Sequence, residues 1–298
     1  MLTHVWRLFN FYLCLEATNM ETYIVSALKY RPQSFEEVVG QKAITKTLEN
    51  AIEKDQLAQA LLFCGPRGVG KTSCARILAK RINSQGKNNS NEDFAFNIFE
   101  LDAASNNSVD DIRSLNEQVR IPPQVGTHKI YIIDEVHMLS LGAFNAFLKT
   151  LEEPPKHVIF ILATTEKQKI IPTILSRCQT FDFKRISVKD CKEYLQKIAT
   201  DQNIEFEEEA LEIIAQKADG ALRDALSIYD RMVSFTDCKL SVKSISENLK
   251  IIDHDTFFTF TQLILNHDIP ALLIDFDELL QKGFDELQFI TGLGYHLR

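Results

Sequence analysis

Residues 65–72 read Gly65-Pro66-Arg67-Gly68-Val69-Gly70-Lys71-Thr72, a complete G-x-x-x-x-G-K-[ST] loop. Glycines at this spacing let backbone N–H groups turn inward around phosphate, with a helix N-terminus behind them. Lys71 is then set to reach the β- and γ-phosphates of a nucleoside triphosphate, and the Thr72 hydroxyl to ligate Mg²⁺. A second apolar run, Ile130-Tyr131-Ile132-Ile133, ends in Asp134-Glu135. Asp134 offers a carboxylate on the metal side, and Glu135 can polarise an attacking water. Acidic pairs are common at strand ends; the phosphate loop turns this one into a candidate site for triphosphate hydrolysis.

Three further residues fall where such chemistry has use for them. Thr165 follows the apolar run that ends Leu162-Ala163-Thr164. A hydroxyl there can sense a γ-phosphate, although Thr is also an ordinary strand residue. Arg177, in Ser176-Arg177-Cys178, is either a surface cation or a finger that neutralises transition-state charge. Arg223, in Gly220-Ala221-Leu222-Arg223-Asp224, opens a helical pattern and can close it onto the phosphates.

The elements that must position these residues alternate. Short apolar runs at 60–64, 98–102, 130–134, 158–163 and 179–183 read as strands. Helical patterns fall at 42–53, 71–83, 108–119, 140–151 and 173–176, the fourth with an apolar stripe of Ala143, Phe144, Phe147, Leu148 and Leu151. Alternation of this kind implies an α/β fold, a parallel sheet covered by helices, with functional loops at the carboxyl ends of strands. From about 187 the strand signals stop. Ser187-Val188-Lys189-Asp190 reads as a capping box, and helices are expected near 188–200, 207–218, 221–235 and 241–249. A last helical segment, rich in Phe and Leu, runs from about 253 to Arg298.

Composition excludes little but narrows the setting. The chain has 298 residues, 25% of them charged, and a net charge of −8, so no global basic field marks it for nucleic acid. Its six cysteines lack C-x-x-C spacing and read as reduced packing thiols. No apolar run approaches the ~18 residues of a membrane span, and the expected location is cytoplasmic. The aromatic stretch from Val5 to Leu15 is interrupted by Arg7 and Asn10 and lacks a cleavage site, so it is not read as a signal peptide. The expectation is that Met20 is the true start and that the apolar C-terminus marks a truncated chain.

In order along the chain, Leu28-Lys29-Tyr30-Arg31-Pro32, Phe35-Glu36-Glu37-Val38-Val39-Gly40-Gln41, the phosphate loop, Leu101-Asp102-Ala103-Ala104-Ser105 and Tyr131 to Met138 appear. Leu148 to Pro155, Leu162 to Thr165 and Ile174 to Cys178 follow. Over roughly residues 22–298 this set resembles the bacterial DNA polymerase III gamma/tau family, the ATPase of the sliding-clamp loader. The resemblance implies an AAA+ ATPase domain over 22–186, a helical lid over 187–250 and part of a helical collar over 251–298, with 1–21 outside them. It implies Thr165 as the first sensor, Arg177 as a finger serving a neighbouring subunit, Arg223 as the second sensor, and Tyr30, Arg31 and Val39 around the adenine and ribose. ATP and Mg²⁺ are the implied ligands. The implied partners are the other subunits of a hetero-pentamer, the sliding clamp and primer–template DNA, with no membrane. The resemblance implies that contacts to polymerase and helicase belong to a further C-terminal region.

Two departures from the family pattern stand out. The four-cysteine zinc module often found after the phosphate-loop helix has no counterpart, since 84–97 contains no cysteine, and no zinc is expected. The collar is short. Although the family bears the DNA-directed DNA polymerase name, nothing here resembles nucleotidyl-transfer chemistry. The competing readings are a structural clamp-loader subunit that does not hydrolyse ATP, and another AAA+ motor such as a branch-migration helicase. DNA contact is expected from Asn106, Asn107 and the helix start at Ser108 rather than from a basic patch.

Overall fold

The computed structural model describes residues 24–84, 94–124, 126–236, 239–249, 254–281 and 283–298. The expected start at Met20 and most of the 84–97 loop lie outside the described residues. The five sequence-predicted strands form one parallel sheet: β1 Ala60–Cys64, β2 Ile98–Asp102, β3 Lys129–Asp134, β4 Val158–Thr164 and β5 Gln179–Asp182. Their order is β2-β3-β4-β1-β5. β1 and β4 are buried along their whole length, as parallel strands covered on both faces must be. That is why they read as unbroken apolar runs.

Side chains of a strand alternate between faces, and the core divides accordingly. Leu61, Phe63, Ile130, Ile132, Ile159 and Ile161 pack with α2 (Lys42–Glu53) and α3 (Lys71–Ser84). Leu62, Cys64, Tyr131, Ile133, Phe160 and Leu162 pack with α4 (Val109–Val119) and α5 (Leu141–Glu152). Each fully buried Leu, Ile or Phe contributes ~1.5–3 kcal/mol of apolar transfer free energy, so the strand positions are strongly specified. A short helix, α1 (Ser26–Lys29), precedes the sheet, and α6 (Pro172–Leu175) leads into β5.

Four further helices gather around their own core: α7 Val188–Asp201, α8 Glu208–Lys217, α9 Leu222–Phe235 and α10 Val242–Leu249. A two-residue parallel ladder, β6 Glu205–Phe206 with β7 Lys239–Leu240, joins them; two residues are too few to leave a periodic signal. α1 belongs to this unit by contact. Ser26 donates its N–H to Asp230 Oδ2 at 2.7 Å, and the Tyr194 hydroxyl donates to the Tyr30 carbonyl at 2.8 Å. The segment entering the sheet unit is therefore strapped to the helical unit. Beyond it, α11 His254–Leu265, α12 Ile269–Gln281 and α13 Glu286–His296 enclose a small core of Phe257, Phe260, Leu279 and Phe289. No helix among the described residues is long and apolar enough to cross a membrane.

Candidate active site

Strand order brings the chemistry together. β4 lies between β3 and β1, with Cys64 level with Thr164 and Asp102 level with Asp134. The loops leaving β1, β3 and β4 therefore open on the same edge of the sheet. The phosphate loop begins directly after Cys64. Gly65 and Gly68 both have positive φ, 147° and 75°, a region side chains avoid. A Cβ on Gly65 would drive into the Phe183 carbonyl, and one on Gly68 would meet Ala221 at 3.1 Å. The second contact shows how closely the start of α9 approaches the loop; there the Arg223 N–H points at the Gly68 carbonyl at 3.4 Å.

Lys71, the first residue of α3, is only 6% exposed. Its ammonium donates to the carbonyls of Gly65 and Pro66, both at 2.8 Å. Burial pushes its pKa down, while Glu135 and Asp134 push it back up. The loop, Lys71 and Thr72 line a cleft of about 950 Å³ together with Tyr30, Arg31, Val39, Asp134, Glu135 and Arg223. Within a chain of net charge −8, cations still cluster here: the Arg31 guanidinium is pushed below its ordinary value by burial first, and then by Arg76 and Arg223. Like charges gathered beside a phosphate loop suit a polyanionic ligand. Arg76 was not singled out in the sequence. Its signal was its place one turn after Thr72 on α3, facing Glu100, with which it forms an ion pair.

The Thr72 hydroxyl donates to Asp134 Oδ2 at 2.7 Å, and the Glu135 N–H donates to Asp134 Oδ1 at 3.0 Å. A hydroxyl and a carboxylate oxygen in contact at the mouth of a phosphate loop are the hard donor set that Mg²⁺ accepts, so the residues fit the ion. Glu135 itself sits at φ 47°, ψ 43°, a left-handed backbone that costs a non-glycine residue ~1–2 kcal/mol. The carboxylate is well anchored in return. Its Oε2 accepts from the Thr165 N–H at 3.1 Å and from the Thr165 hydroxyl at 2.8 Å.

Thr165 thus reaches the site through Glu135 rather than by lining the cleft. Arg177 does not reach the cleft. It is exposed, donates to the Thr173 carbonyl at 2.8 Å, and pairs with Glu152 at 2.7 Å. The expected DNA-facing helix start is largely occupied by its own cap. Ser108 Oγ accepts the Asp111 N–H, Asp111 accepts the Ser108 N–H, and Asn106 Nδ2 donates to the Asp102 carbonyl. The reciprocal box consumes donors that the sequence reading left open, and it adds a carboxylate. His137, quoted in the sequence only as part of the stretch from Tyr131 to Met138, is a neighbour of the site, and so is Thr164 at the end of β4. Thr164 is wholly buried, and its hydroxyl lies 3.0 Å from His137 Nδ1.

Comparison with known proteins agrees with this geometry. A family model described as DNA polymerase III, delta subunit, matches residues 40–187. One described as DNA polymerase III clamp loader subunit, ATPase lid domain, matches 190–237. DNA polymerase III subunit tau of Bacillus subtilis is 45% identical over 90% of this chain and 50% of its own length. DNA polymerase III subunit gamma of Buchnera aphidicola subsp. Baizongia pistaciae is 38% identical over 85% of this chain and 72% of its own length. The chain thus spans half the length of the Bacillus relative. Among solved structures, the Thermotoga maritima RuvB Holliday junction branch migration motor superposes with a TM-score of 0.59 at 21% identity, over 80% of each chain. That likeness establishes the fold alone. With the two gamma and tau relatives matching across sheet and helical units alike, the chain belongs to the DNA polymerase III gamma/tau family.

Proposed function

We propose that this chain is an ATP-hydrolysing subunit of a bacterial clamp loader, which loads the sliding clamp on primed DNA as part of the DNA polymerase III holoenzyme. The observation that carries the reading is the convergence of Lys71, the Thr72–Asp134 pair and the Glu135–Thr165 pair at one edge of the sheet. ATP and Mg²⁺ are the ligands of this proposal, with no zinc. Thr72 and Asp134 would hold the metal, which supplies charge neutralisation of the phosphates when bound. Lys71 and the loop amides bind and orient the triphosphate. Tyr30, Arg31 and Val39 receive its base and sugar. Glu135 accepts a proton from the attacking water while Thr165 fixes the carboxylate, and Arg223 couples α9 to the phosphates. Phosphoryl transfer asks the protein mainly for position and charge, and these residues supply both.

In this proposal residues 22–186 form the ATPase domain, 187–250 the lid and 251–298 part of the collar. The assembly is a hetero-pentamer with the clamp and primer–template DNA as partners, in the cytoplasm. A structural subunit would not need a complete hydrolytic set, and a branch-migration motor would place a DNA-binding domain where α11–α13 stand. The test is ATP turnover by the assembled subunit, with and without clamp and primed DNA. Lys71→Ala should weaken both nucleotide binding and turnover. Glu135→Gln should bind ATP and retain it, with turnover reduced by two orders of magnitude or more; wild-type hydrolysis by this variant would remove Glu135 as the base.

A further inference from the structure

Glu135 has one neighbour that the phosphate-loop chemistry does not account for. His137 lies on the short turn Val136–Met138 that follows β3, and its side chain is 6% exposed. Nδ1 is 3.0 Å from Thr164 Oγ1 and 3.3 Å from Glu135 Oε2, and Nε2 is 3.4 Å from Glu166 Oε1. Glu166 in turn accepts from Lys169 at 2.8 Å, and its N–H donates to Thr164 Oγ1 at 3.1 Å. The ring therefore stands between two carboxylates, one in the cleft and one towards the surface, over a threonine that is itself wholly buried.

We propose that His137 is a positioning residue: it holds the Glu135 carboxylate in register with Thr165 and ties it to the Glu166–Lys169 pair on the surface. The proposal rests on the reading of Glu135 as the water-activating base. Three groups meet at Glu135 Oε2: the Thr165 N–H, the Thr165 hydroxyl and the His137 ring. Both Thr165 bonds come from one side, the end of β4. The ring approaches from the turn after β3. Removing it leaves the carboxylate free to swing about the threonine. Oε1, which has no protein donor among the described residues, would lose its aim. A misplacement of about 1 Å at a reacting group can lower a rate by ~10²-fold. His137 does not line the cleft, so nucleotide affinity should be spared.

The experiment compares steady-state ATPase, nucleotide affinity and thermal melting in the oligomer formed by the full-length chain. His137→Ala should lower kcat about tenfold or more with KM for ATP within about twofold. His137→Gln keeps an amide nitrogen that can donate to one of the two carboxylates and should recover part of that loss. Glu166→Gln should lower kcat by less, and the His137→Ala/Glu166→Gln double variant should be no slower than His137→Ala. If His137→Ala melts early, His137→Gln and Glu166→Gln decide. Wild-type kcat in both, or additive effects in the Gln/Gln pair, overturns the proposal. So does a loss of nucleotide affinity in step with kcat. Glu135→Gln runs in the same assay: if it hydrolyses normally the base assignment fails, whereas normal hydrolysis by the His137 variants alone sinks only the positioning role.

Discussion

Lys71 carries its charge where water barely reaches. Its ammonium is bonded to two backbone carbonyls, and although Glu135 and Asp134 offset part of the cost, desolvation still lowers its pKa. Burying a charge costs several kcal/mol after relaxation, and a neutral isostere can be the more stable occupant. In the proposed function a bound triphosphate adds further countercharge. Lys71→Met should therefore leave the nucleotide-free protein as stable as wild type or more so, while affinity for ATP falls by ~100-fold or more, ~2.7 kcal/mol. Melting without nucleotide and a fluorescence titration separate the two effects; a fall in both would mean that Lys71 is chiefly a packing residue. The neighbouring hydroxyl has a different duty. Thr72→Val keeps the shape but leaves Asp134 Oδ2 without its 2.7 Å donor. It should abolish the Mg²⁺-dependent part of nucleotide binding and leave the metal-free part near wild type, which titrations with and without chelator would reveal.

At the scale of elements, α4 begins with a full capping box between Ser108 and Asp111, and α5 and α7 begin with Ser140 and Ser187 accepting single N–H groups. Ser108→Ala should cost ~1 kcal/mol, read as a lower urea midpoint with an unchanged slope. The central strands β1, β3 and β4 were legible almost to the residue, because a segment buried on both faces must be apolar throughout and the turns beside it must not be; the edge strands β2 and β5 are only partly buried and carry polar residues. The ladder β6–β7 and the 3₁₀ turns were not, since two or three residues carry no period. The same contrast holds in the site. The loop and Asp134-Glu135 are local patterns and could be read directly. The bonds from Thr165 to Glu135 and between His137 and Thr164 depend on strand register, which places residues 30 and 27 apart in sequence within 2.8 and 3.0 Å; spacing along the chain carries no such distance. Cysteine placement adds a pH dependence to the core. Burial of Cys74, on the sheet side of α3, pushes its thiol from 9.0 to about 12. Its folded pKa is raised, so the contribution to stability is complete below pH 9 and is lost as pH rises from there towards 12. Cys74→Ala should flatten that part of the stability–pH curve, measured by denaturation at stepped pH.

The fold of the whole molecule keeps Arg177 out of its own chain's cleft. The site is built at the carboxyl edges of β1, β3 and β4, whereas Arg177 follows α6 on an exposed surface, held by Glu152 and by the Thr173 carbonyl. An exposed ion pair of this kind is worth ~1 kcal/mol or less, so it orients the guanidinium without committing it. In the proposed assembly this exposed cation would meet the phosphates bound by a neighbouring subunit. Two deficient chains test this. Lys71→Ala has a failed site and an intact finger; Arg177→Ala has an intact site and no finger. Made in the full-length protein and assembled separately, each should turn over ATP at least ~10³-fold more slowly than wild type, the scale of a finger supplied in trans. Co-assembled, they should regain a sizeable fraction of wild-type activity, because some interfaces then pair an intact site with an intact finger. Glu152→Gln frees the guanidinium and should change turnover by no more than a few fold. If sizing shows co-assembly and the mixture stays inactive, Arg177 serves its own chain as a surface brace, and the charge that completes the site must come from elsewhere, with the cleft-lining Arg31, Arg67, Arg76 and Arg223 as the claimants.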